Sequence, residues 1–107
     1  MSDLQWNKKF ALEQAGDDRD LLTELLDLLR SSSKGDLQKI KAALKAGDGE
    51  GVADAAHSIK GASASLGCEG LRAVAYEFEK KGRAADLAGL DPAVLEDMIL
   101  ALDDIVV

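Results

Sequence analysis

In the run Val52-Ala53-Asp54-Ala55-Ala56-His57-Ser58-Ile59-Lys60-Gly61-Ala62-Ser63-Ala64-Ser65-Leu66 the apolar side chains recur at helical spacing. At about 100° per residue, Val52, Ala55, Ile59, Ala62 and Leu66 gather on one side, with Ala56 and Ser63 at its edge. That stripe predicts an amphipathic helix packed on a core. His57 is the single histidine of the chain, and it points about 180° away from the centre of the stripe, towards water. Ala53, Gly61 and Ala64 fall within about 40° of the imidazole and form a floor of small side chains, flanked at about 60° by Asp54 and Lys60. A glycine inside a helix costs about 1 kcal/mol relative to alanine. Gly61 therefore reads as clearance beside the ring, space for a bulky reactant or for the active site of another protein.

Working outward, the same periodicity predicts a helical bundle. Trp6 and Phe10, with Leu12 or Ala15, suggest a short leading helix that Gly16 ends before Asp17 or Asp18 caps the next. Leu21, Leu22, Leu25, Leu26, Leu28 and Leu29 are followed, in step, by Leu37, Ile40 and Leu44. This favours one long helix from about Asp18 to Ala46, weakened at Ser31-Ser32-Ser33-Lys34-Gly35, with two helices broken there as the alternative. Ala46-Gly47-Asp48-Gly49-Glu50-Gly51 reads as a turn. The histidine helix then runs from about Gly51 to Leu66, with Gly67 as a left-handed cap. Leu71, Val74, Ala75 and Phe78 carry the next stripe up to Lys81 and Gly82, which makes an antiparallel hairpin with the histidine helix. Asp91-Pro92 starts the last helix, aspartate as N-cap and proline at the first helical position, with Val94, Leu95, Met98, Ile99, Leu102 and Ile105 as its buried face.

Composition narrows the function. A chain of 107 residues with 47% hydrophobic content suits one domain over residues 1–107 with a modest core. A net charge of -7 and a pI near 4.6 argue against nucleic acid as partner. One cysteine, Cys68, allows no internal disulfide, and cysteine and histidine are too few for a zinc site, which suggests a reduced, cytoplasmic protein without a metal of its own. Cys68 reads as a small apolar filler. No segment resembles a signal peptide or is long enough to span a membrane, and from Met1 to its last helix the chain reads as complete. Ser58, Ser63 and Ser65 lack a second histidine or a matched acid–base partner, which removes serine-hydrolase chemistry.

The string His57-Ser58-Ile59-Lys60-Gly61, followed by Leu66-Gly67, Leu71, Ala75, Phe78-Glu79 and Arg83, closely resembles histidine-containing phosphotransfer (HPt) domains of bacterial multistep phosphorelays. Gly16-Asp17, the leucine block from Leu21 to Leu29, and Ala43-Leu44 before Gly47-Asp48 match the family's layout in the same order, so the likeness covers nearly the whole chain. The resemblance implies an all-α fold, an antiparallel four-helix bundle with a short additional N-terminal helix. It also implies that His57 accepts a phosphoryl group from one receiver-domain aspartate and passes it to another. Such a domain is a phosphotransfer protein rather than a kinase, and no glycine-rich phosphate loop of the Gly-x-x-x-x-Gly-Lys type occurs in the sequence. Magnesium is expected from the partner receiver. The expected partners are response-regulator receiver domains and a hybrid sensor histidine kinase, with the protein itself a monomer.

Under that resemblance the other residues acquire roles. Imidazole ordinarily titrates near 6.5 and is mostly neutral at cytoplasmic pH, which leaves one ring nitrogen with a lone pair for attack on phosphorus. Lys60, one turn away, supplies a positive point charge for the phosphoryl group. Gly61 and Ala64 leave room for the partner. Glu79 stands where family members place a polar residue near the ring, and its carboxylate can orient the imidazole; pairing with Lys80, Lys81 or Arg83 on its own helix is an equally plain reading. Arg83, one turn beyond Glu79, can contact phosphate or steer a receiver. The competing class is a helical adaptor that binds signalling partners and carries no phosphate. A kinase fragment fits less well, since no nucleotide-binding module is present.

Overall fold

The computed structural model describes residues 4–107; Met1–Asp3, the start of the span read as one domain, lie outside the described residues. Among the described residues five helices follow one another: α1 (Lys8–Gln14), α2 (Arg19–Ala46), α3 (Gly49–Ser65), α4 (Glu69–Arg83) and α5 (Pro92–Ala101), with a closing 3-10 turn at Leu102–Asp104. Helices α2 to α5 form the bundle and α1 is the short addition at its end. Among the described residues there is no strand, only a single antiparallel bridge between Trp6 and Cys68.

Helix α2 is continuous through Ser31–Gly35. At 1.5 Å per residue its 28 residues span about 42 Å, and the longest dimension of the molecule is 42 Å. Tertiary burial overrides the weak local propensity, because Leu22, Leu26, Leu29, Ser33, Leu37 and Ile40 keep one unbroken buried stripe across the serines. Gly47, with φ +69°, ends α2, and Asp48 at once caps α3 by accepting from the Gly51 N–H at 3.0 Å. The histidine helix thus begins at Gly49, two residues before the position expected from the glycine run, because the side chain of Asp48 supplies the N-cap.

Two further expectations are corrected. Trp6 precedes α1 instead of belonging to it: the Asn7 side chain caps that helix by accepting from the Phe10 N–H at 3.0 Å. The Trp6 indole instead donates to the Leu66 carbonyl at 3.0 Å, and Asn7 N–H donates to Gly67 O at 2.9 Å, so the segment straps across the α3–α4 turn. Val94 is 48% exposed, because the buried face of α5 is Leu95, Met98, Ile99 and Leu102, spaced i, i+3, i+4 and i+7, and Val94 lies about 100° off it. Asp91 and Pro92 occupy the N-cap and first-turn positions as expected, and Cys68 is fully buried, its thiol pushed up to about 11 chiefly by burial.

Helices α3 and α4 meet backbone to backbone. A methyl group on Gly82 would lie 2.6 Å from the Gly49 carbonyl oxygen and 2.8 Å from the Ala53 nitrogen, and one on Gly49 would lie 2.6 Å from the Gly82 oxygen. Gly35, by contrast, faces open space in the middle of α2. Opposite outcomes are therefore expected for the same chemical change, read by denaturant unfolding. Gly35→Ala should stabilise by about 1 kcal/mol, whereas Gly82→Ala should destabilise by about 1–3 kcal/mol despite its better helix propensity, since the helices must move apart.

Candidate functional site

His57 projects from the middle of α3 with its side chain 62% exposed, as its angular position required. The ring is not free. Its Nδ1 lies 2.8 Å from Glu79 Oε2, which reaches over from α4. Glu79 is the exception to its type, a carboxylate on a residue only 9% exposed, packed under the imidazole. A buried carboxylate is retained where cations hold it. Lys60 Nζ stands 2.6 Å from Glu79 Oε1 and forms a close ion pair with it. Arg83 places Nη2 3.8 Å from Glu79 Oε2 and Nη1 3.1 Å from Asp54 Oδ1. Tyr76 seats both Lys60 and Lys80 on its ring, 5.1 and 4.6 Å from the centroid.

This arrangement fixes the tautomer. The Lys60 ammonium is the largest influence on Glu79; together with His57 it outweighs burial and holds the carboxyl below its ordinary value of 4.5. An ionised carboxylate can only accept, so Nδ1 carries the proton and donates it to Oε2. Nε2 is left with the lone pair, on the exposed side of the ring.

The surroundings are open. A methyl group on Gly61 would meet nothing within 4 Å, and Ala64, half-buried one turn further, adds no bulk. Lys60, Gly61, Ala64 and Glu79 are thus gathered about His57. Arg83 is the last residue of α4, still in helical register, and reaches Glu79 at i,i+4. The residues that sequence reasoning missed lie on α2. Leu25, Leu28 and Ser32 form, with Gln14 of α1 and with Ala62 and Leu66, an apolar groove of about 320 Å³ beside the turn of α3 that follows Gly61. Leu28 is 66% exposed, and Leu21, two turns earlier, is 41% exposed. The signal was present: Leu21, Leu25 and Leu28 make a second stripe at i, i+4 and i+7, more leucine than one buried face of α2 can absorb.

Residues 24–105 match the family model of the Hpt domain, and the chain belongs to that family. Its structure is similar to the crystal structure of histidine-containing phosphotransfer protein B (HptB) from Pseudomonas aeruginosa PAO1, with a TM-score of 0.79 and 28% sequence identity over 94% of this chain and 86% of that one. No curated protein sequence matches. The fold class and the family read from the sequence therefore hold, and the chain has a histidine phosphotransfer role in a phosphorelay. Among the described residues no helix is long and apolar enough to cross a membrane.

Because Glu79 is held below 4.5 in the folded state, its contribution to stability is fully present above about pH 4.5 and is lost as pH falls through the lowered folded value. Glu79→Gln removes the titrating group. The unfolding free energy of wild type should therefore fall more steeply than that of Glu79→Gln as pH drops below 4.5, and equal slopes in that range would show that Glu79 is not held ionised by its neighbours.

Proposed function

We propose that His57 is the phosphoryl acceptor, that it takes the group from the aspartyl phosphate of one receiver domain, and that it returns it to the aspartate of another. The observation that carries this reading is the 2.8 Å contact from Nδ1 to a buried carboxylate, which leaves Nε2 as the exposed nucleophile. In the forward step the Nε2 lone pair attacks phosphorus and an N–P bond forms. The P–O bond to the receiver's carboxylate breaks, and its electron pair leaves on that carboxylate. The proton on Nδ1 stays, so the ring becomes cationic opposite Glu79, which offsets the new charge. The second transfer reverses these movements.

Lys60 both fixes Glu79 and, through its remaining N–H donors, meets the phosphoryl oxygens. Arg83 is the second cation in reach. Gly61 and Ala64 admit the receiver, and the exposed leucines of α2 with the groove beside α3 give its apolar edge a seat. The magnesium and the acyl phosphate belong to the receiver. A hybrid sensor kinase feeding a separate response regulator, with this chain as a monomeric cytoplasmic intermediate, is the arrangement proposed.

Incubation with a phosphorylated receiver domain should place an acid-labile, base-stable phosphate on His57. The His57→Gln variant should fold as well as wild type, since the ring is exposed, and should accept none. Absence of transfer to the folded wild-type protein from a broad panel of receivers would instead support the adaptor reading. Gly61→Gln should leave unfolding unchanged or slightly improved while slowing transfer at least about tenfold by blocking the approach. An unchanged rate would remove the clearance role.

A further inference from the structure

Asp54 has no part in the chemistry described so far, yet it holds one of the two cations of the site. It stands one turn before His57 on α3, and its Oδ1 lies 3.1 Å from Arg83 Nη1. The same guanidinium sits 3.8 Å from the Glu79 oxygen that carries the His57 hydrogen bond. Arg83 is therefore shared between a buried carboxylate that orients the ring and an exposed one that does not touch it. The two contacts differ in kind: Glu79 is 11% exposed at its side chain, Asp54 68%. An exposed pair of this sort is weak, and its partners exchange readily.

Taking the site as the phosphoryl acceptor, we infer that Asp54 is a positioning residue that sets how strongly His57 retains the phosphoryl group, by competing for Arg83. Before transfer, two carboxylates face two cations, Asp54 and Glu79 against Lys60 and Arg83, and the site is locally neutral. A phosphoryl group on Nε2 brings about 1.5 to 2 negative charges. Lys60 is seated on Glu79 and on the Tyr76 ring, so Arg83 is the cation with the looser hold. To reach the phosphoryl oxygens it must leave Asp54, which then stands beside the new group as an uncompensated like charge. Both effects raise the free energy of the phosphorylated form and favour onward transfer. No bond is made or broken by Asp54; it shifts the equilibrium between phosphohistidine and the receiver's aspartyl phosphate.

The test is that equilibrium, measured with the full chain and one phosphorylated receiver domain. Asp54→Asn keeps the shape and removes the charge, and it should raise the ratio of phosphohistidine to aspartyl phosphate by about two- to fivefold. The increase should shrink in an Arg83→Gln background. It should also fade towards about 1 M NaCl, where the screening length is roughly 3 Å. The ¹⁵N shifts of the His57 ring should be the same in Asp54→Asn and wild type, because Glu79 sets the tautomer. An unchanged ratio in Asp54→Asn, or an increase that survives whole in the Arg83→Gln background, overturns the inference while leaving the relay intact. Failure of wild-type His57 to take phosphate at all overturns the relay reading itself.

Discussion

The site depends on a contact that contains no functional group, the place where α3 and α4 touch through Gly49 and Gly82. Each glycine carbonyl occupies the space that a side chain on the other would need, and Ala53 adds only a methyl group beside them. Helices separated by ordinary side chains pack with axes about 8–10 Å apart; without side chains at the crossing they come closer. Glu79 lies one turn before Gly82 and Arg83 one residue after it, so both are delivered from the point of closest approach. A glutamate has a short reach. Its 2.8 Å contact with His57 and its 2.6 Å contact with Lys60 both require that α4 lie this near to α3.

Burial then divides the charged residues into two sets. Glu79 is removed from water and must be satisfied, so its partners His57 and Lys60 are fixed along with it. Asp54 and Arg83 stay hydrated and are free to change partners. The local balance of two carboxylates and two cations contrasts with a net charge of -7 for the whole chain. The acidic excess is carried elsewhere on the surface, and the ring itself stands in a nearly neutral setting where the next charge to arrive has the largest relative effect.

How much of this could be read from the sequence follows from the range of the interactions. The exposed placement of His57 and the open space at Gly61 depend only on angles within one helix, and both were legible. The continuity of α2 was legible as the favoured reading, because its apolar spacing stays in step from Leu29 to Leu37 although Ser31 to Gly35 argue for a break locally; what holds them helical is the burial of Leu29, Ser33 and Leu37 against other helices. Glu79 had three nearby cations on its own helix, and the sequence alone gave no reason to prefer His57 and Lys60 across the gap. Arg83 and Asp54 are separated by 29 positions and meet only because the hairpin is closed at Gly49 and Gly82. Leu21 and Leu28 follow the same helical periodicity as the core leucines, but the arc of six leucines on α2 is wider than the stripe the other helices cover, which leaves these two exposed.

In the proposed relay, a phosphohistidine that serves between two aspartyl phosphates must be neither too stable nor too reactive, and the two sets of charges would act on different parts of that requirement. The buried set decides which nitrogen reacts and compensates the cationic ring, an effect that salt screens little. The exposed set acts on the phosphoryl oxygens, where each partner contributes a small and easily altered amount. Small contributions are what such a balance needs: a factor of ten in the transfer equilibrium corresponds to only 1.4 kcal/mol. A single strong, buried cation on the phosphoryl group would hold it and stop the relay. A loosely held arginine with a competing aspartate leaves the group stabilised enough to exist and free enough to move on.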